Sequence, residues 1–175
     1  MPQINLDGGP HGISTRNAGT ADEERYWGYS PTSRQLNLLK RAVSIIQNNI
    51  YKKNVSCNHY FKKLSVTPPS RSFDEVWEDP DIWISYEPRI GVGWDGATDA
   101  VFGKEITLGE DAFKKGNVWY LTAVLVHEFA HTNGAGGAPS IAASTSLKFC
   151  GLIGLYDGAI GVRDNTRPGP ENRVV

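Results

Sequence analysis

Residues 127–131 of this 175-residue chain read His-Glu-Phe-Ala-His. On an α-helix, positions i and i+4 lie on one face, a single turn apart. Two imidazoles so placed can turn nitrogens toward one metal ion. Zinc accepts His nitrogen and prefers four tetrahedral ligands. Glu128 sits one step round the helix, where a carboxylate can take a proton from a metal-activated water. The expected centre is therefore one zinc ion held by His127 and His131, with Glu128 as a hydrolytic base. With only four His in 175 residues, about 0.005 such matches are expected by chance. The motif also lies in an apolar run, where imidazole and carboxylate groups are costly unless they gain partners. A satisfied hydrogen-bond cluster is the plain alternative.

The elements that must position these groups are partly legible. Asn117 can cap a helix from Val118 to about Thr132. Its first half, VWYLTAVLV, is apolar on every side, the mark of a buried helix. Asn133-Gly134 can stop it. Ser140 to about Phe149 reads as a second helix. Upstream, Leu36, Leu39, Ala42, Val43, Ile46 and Ile50 recur in steps of three and four, which predicts a long amphipathic helix over 33–52. Residues 53–70 suggest a turn and a short helix closed by Pro68-Pro69. Ser72 and Glu75 form a capping-box pattern before a short helix over 73–78. Three β-like pieces follow at 82–86, 89–94 and 105–108. Residues 1–30 read as an irregular arm, 31–158 as one domain, and 159–175 as an irregular tail.

The sequence VHEFAHTNG resembles the active-site helix of zincin metallopeptidases. EITLG, residues 105–109, fits the antiparallel edge strand that zincins place beside that helix. The resemblance implies an α+β zincin-like fold, with a small antiparallel or mixed sheet packed on the motif helix and the long amphipathic helix behind. It implies a zinc metallopeptidase, with an extended peptide or protein substrate lying along the edge strand.

A catalytic zinc normally has three protein ligands, and two are visible. The metzincin extension fails, because Gly134 fits it but Gly137 stands where a third His belongs. The gluzincin Glu is missing from SIAASTSLKF, where Ala143 and Ser144 occupy the nearest positions. Asp157 is the first acid downstream, as an aspzincin-type ligand or as a turn-former in Tyr156-Asp157-Gly158. His59 and His11 are remoter candidates, and a two-His site completed by water also remains open. Tyr156 could stabilise an oxyanion, although a core Tyr is the plainer reading. A non-catalytic module derived from a zincin, and a secreted toxin or effector peptidase, are the alternatives to an ordinary peptidase.

Composition narrows the partners. The formal net charge of −1 favours neither nucleic acid nor anionic lipid. Lys52-Lys53 and Lys62-Lys63 are too sparse for a nucleic-acid patch. The acidic string from Asp74 to Asp81 reads as a solvated face rather than a calcium loop. Five Trp and seven Tyr suit aromatic core anchors, or an aromatic substrate cleft. No apolar stretch approaches the ~18 residues of a membrane span. No signal-peptide pattern opens the chain, so a cytosolic protein, a processed form or export by a signal-less route is expected. Cys57 and Cys150 are read as two free buried thiols in preference to a disulfide.

Overall fold

The structure, a computed structural model, describes residues 1–16, 24–88, 95–114, 117–136 and 141–153. The helix that carries the motif, α5 (Val118–Thr132), lies at its centre. Asn117 caps it, its side chain accepting from the amides of Trp119 at 2.9 Å and Tyr120 at 3.4 Å. Every residue from Tyr120 to Ala130 is buried, as its uniform apolarity requires.

Around α5 pack α1 (Arg34–Asn49), β5 (Gly96–Thr98), β6 (Glu105–Gly109), α4 (Glu110–Lys114) and α6 (Ile141–Phe149). The periodic residues of α1 become its buried stripe, with Leu36, Leu39, Ala42 and Ile46 fully shielded. Ser33 caps this helix through the Leu36 amide at 3.1 Å. The Ser72–Glu75 capping box forms as its spacing predicts and starts α3 (Phe73–Trp77). A further helix, α2 (Val55–Phe61), lies against α3 and α6.

The main sheet is mixed, in the order β1 (Gln3–Ile4), β4 (Trp83–Glu87), β6, β5. β1 and β6 flank β4 in parallel, and β5 is antiparallel to β6. The fold is thus a small α+β domain with one mixed sheet and several helices. The EITLG strand does not lie at the edge as expected. It is the inner strand β6, buried along its whole length, and the antiparallel strand beside α5 is β5. The three residues of β5 follow Asp95 directly, so they read in sequence as part of a turn.

Successive residues of a strand face opposite sides of the sheet. One set here, Ile84, Ile106 and Leu108, enters the hydrophobic core. The other set includes Trp83, Ser85 and Glu105, and the N-terminal arm covers it. The arm is more regular than its composition suggests. It supplies β1 and a separate antiparallel ribbon of β2 (Ser14–Arg16) and β3 (Glu24–Tyr26). These strands are too short to leave a periodic trace; backbone bonds such as Gln3 N–H to Ile82 O, 2.8 Å, define β1. Asn5 Nδ2 donates to Ser85 Oγ at 3.1 Å, and the His11 ring stacks on Trp83 with centroids 4.1 Å apart.

Cys57 of α2 and Cys150, just past α6, form a disulfide. This corrects the reading of two free thiols. The partners are 93 residues apart in sequence, and only the packing of α2 on α6 brings them together. The stack of Tyr60 on Phe149 at 4.5 Å, and Tyr60 Oη donating to Ala142 O at 3.1 Å, fasten the same pair of helices. Among the described residues no helix is long and apolar enough to cross a membrane. The predicted strand at 89–94, Tyr156, Asp157 and the 159–175 tail lie outside the described residues.

Candidate metal centre

The C-terminal turn of α5 is held from several sides. Asn133 caps the helix and is itself buried. Its Nδ2 donates to Phe61 O at 3.0 Å and Arg71 O at 2.7 Å, while its Oδ1 accepts from the Arg71 amide at 2.8 Å. The Phe102 amide donates to His131 O at 3.0 Å. Gly134 turns the chain with φ +101°, and a Cβ there would lie 2.4 Å from Phe102 Cζ. A side chain at 134 would therefore meet both an unfavourable backbone conformation and a clash. Asn133-Gly134, read as a stop signal, is thus also the anchor that fixes where His131 sits.

His127 and His131 face each other across one turn, with Nε2 atoms 3.3 Å apart. Two zinc–nitrogen bonds of 2.0–2.1 Å at a tetrahedral angle span about 3.3–3.4 Å between nitrogens. The pair already has the spacing that a tetrahedral ion needs. Each far nitrogen has an oxygen in reach. His131 Nδ1 lies 3.1 Å from Ala135 O, and His127 Nδ1 lies 3.4 Å from Ser144 Oγ on α6. Such oxygen partners orient metal-binding imidazoles and select their tautomers.

Burial sets the charge state. Desolvation pushes His127 down to about 3, helped by the neighbouring His131. It also lowers His131, against the opposing pull of the Ala135 and Gly136 backbone. Both rings are therefore neutral at pH 7, the form that binds metals. Glu128, 3% exposed, is pushed up to about 7 by burial. The Thr98 hydrogen bond works against that rise and the Asp95 charge adds to it.

The position of Glu128 is set by β5. Thr98 Oγ1 lies 2.9 Å from Glu128 Oε2 and 3.3 Å from Glu128 O. A Cβ on Gly96 would come within 3.1 Å of the Glu128 Cγ and Oε1. The strand thus passes the helix so closely that any side chain at 96 would press on the carboxylate. Asp95, just before β5, accepts from the Tyr120 hydroxyl. Nothing in the sequence marks Thr98 or Gly96 as partners of Glu128, because they lie about thirty residues upstream in a segment that reads as a turn.

Among the described residues no group of three His, Cys, Asp or Glu is placed to hold a metal. His11 is engaged elsewhere, 2.7 Å from Glu105 Oε2. Burial raises the Glu105 carboxyl, while Ser85 and His11 pull it down. His59 is exposed on α2. Ala143 is fully buried, and Ser144, also on α6, reaches His127. No protein-family model, no curated protein and no solved structure matches this chain.

Proposed function

We propose that the chain is a zinc-dependent hydrolase, most simply a metallopeptidase of zincin type, with the ion held by His127 and His131. The observation that carries this reading is the 3.3 Å separation of two mutually facing imidazole Nε2 atoms. Zinc bound there would polarise a carbonyl and make water a stronger acid. Glu128 then acts as the proton carrier. Its carboxylate can take a proton from water and return it to the leaving amine. Thr98 and Gly96 hold that carboxylate beside the antiparallel strand β5. An extended peptide laid along β5 would present its amide to Glu128.

The disulfide favours an exported protein. Such bonds persist in oxidising compartments and are rare in the cytosol. This supports the secreted toxin or effector form of the reading over a cytosolic peptidase.

The second reading is a non-catalytic binding module that retains the helix pair. The hydroxyl of Ser144, in the place where a gluzincin-type acid is expected, favours it. Metal analysis of purified protein, combined with hydrolysis of a broad peptide library by wild type and Glu128→Gln, tests both. The hydrolase reading requires near-stoichiometric zinc and cleavage that Glu128→Gln abolishes while keeping the metal. Zinc uptake without any cleavage supports the module. Failure of the protein to take up zinc refutes the metal centre.

A further inference from the structure

We infer that Phe102, at the tip of the β5–β6 hairpin, is a positioning residue that fixes His131 and ties it to the strand holding Glu128. The inference rests on the metal reading above and deepens it by naming what keeps the second ligand in place.

The two imidazoles differ in how their backbone is held. His127 lies a full turn before the end of α5, inside the helical ladder. His131 lies in the last turn, where carbonyls find no partner further along the helix. Its carbonyl accepts from the Asn133 and Gly134 amides, which belong to the helix end itself, and from the Phe102 amide at 3.0 Å. Of the three donors, only Phe102 comes from another element. The half-buried ring of the same residue crowds Gly134. A Cβ built there would fall 2.4 Å from Phe102 Cζ and 2.8 Å from its Cε1. One residue thus grips the helix end twice, at His131 and at Gly134.

Phe102 adopts an unfavourable backbone conformation to do so. The Gly103 amide donates to Ala100 O at 2.8 Å, which closes a turn with Val101 and Phe102 at its centre. Phe102 has φ +65° there. Gly or Asn adopts that angle easily in such a turn, and a bulky side chain does not. The neighbouring Gly103 cannot relieve it, and a Cβ on Gly103 would itself meet Asp99 Oδ1 at 1.8 Å. Non-glycine residues persist in this conformation where surrounding contacts over-determine it. For Phe102 those contacts are the His131 carbonyl and Gly134. The same hairpin also carries Thr98, whose Oγ1 lies 2.9 Å from Glu128 Oε2. The base and the second ligand are therefore braced by one element, and any shift of the hairpin moves both.

The test combines amide hydrogen exchange, thermal melts in chelator and zinc competition against a chromophoric chelator, all on the full chain. In metal-free wild type the Phe102 amide should exchange slowly, and exchange at the rate of an unprotected amide overturns the contact. Phe102→Gly keeps the amide and suits the positive φ, but it removes the ring. It should weaken zinc by about tenfold, the low end for loss of an outer support of a metal ligand. Its metal-free Tm should stay within about 4 °C of wild type. Phe102→Leu, which keeps an apolar side chain over Gly134, should recover most of the affinity. Equal zinc affinity in wild type and Phe102→Gly overturns the role of Phe102 and leaves the metal centre standing. A zinc loss that comes with a larger fall in metal-free Tm, or a Phe102→Gly chain that does not fold, assigns the ring to core packing and also overturns it. Wild-type protein that binds no zinc removes the metal centre itself, and the role of Phe102 with it.

Discussion

Replacing Cys57 and Cys150 together by alanine opens a cross-link between residues 93 apart in sequence. In the chain-entropy model, closing a loop of that length restricts the unfolded chain by about 4.5 kcal/mol. For a chain of this size each kcal/mol moves Tm by roughly 2–4 °C, so the pair should cost about 9–18 °C. The folded state should change little, because the Tyr60–Phe149 stack and the Tyr60 bond to Ala142 O still fasten α2 to α6. The loss should therefore arise in the unfolded ensemble. That gives a second signature: the urea m-value rises, since an uncross-linked chain exposes more surface on unfolding. Thermal melts and urea titrations of the wild type and the double variant, with thiol titration in denaturant, measure all three quantities. Two free thiols in wild type would refute the cross-link. A Tm loss below about 3 °C with an unchanged m-value would refute the entropic account.

Three further outcomes are expected. Asn133→Ala strands the Arg71 amide and the Phe61 and Arg71 carbonyls, and urea denaturation should show a loss of about 2–4 kcal/mol. Asp79 pays a desolvation cost, but Lys104 and Arg71 more than offset it and hold its carboxyl down to about 2. Because its folded value lies below the unfolded one, its contribution is full above about pH 4 and fades as pH falls toward 2. Asp79→Asn should flatten that part of the stability curve, a change of at most about 2 kcal/mol. Glu128 shifts the other way, up to about 7, so in metal-free protein its burial destabilises the fold increasingly as pH rises from about 4.5 through 7. Metal-free Glu128→Gln should match wild type at pH 4 and exceed it by on the order of 2–3 kcal/mol at pH 8, read from melts in chelator.

The helical parts of the fold were written in local patterns. The cap at Asn117, the uniformly apolar VWYLTAVLV and the Asn133-Gly134 stop delimit α5. The spacing of Leu36 to Ile46 delimits α1, and Ser72 with Glu75 starts α3. The β structure was less legible, since strands of two or three residues such as β1 and β5 are too short for alternation to register. Whether EITLG lies inside or at the edge depends on which strands pair with it, which is a long-range fact. The centre divides in the same way. His127, Glu128 and His131 announce themselves through one helical turn, whereas Thr98, Gly96 and Ser144 reach them only through folding. The Cys57–Cys150 bond leaves no local trace, because two lone cysteines carry no mark of proximity.

That bond has a topological consequence. It closes a covalent ring running from α2 to just past α6, and the ring contains β4, β5, β6 and the whole of α5. Helix α1 and the N-terminal strands lie outside it, attached by a single thread. One proteolytic cut anywhere between residues 57 and 150 would thus leave both fragments joined, with the motif helix still tethered to its neighbours. A nicked molecule would migrate as one species on a gel until reductant separated the pieces.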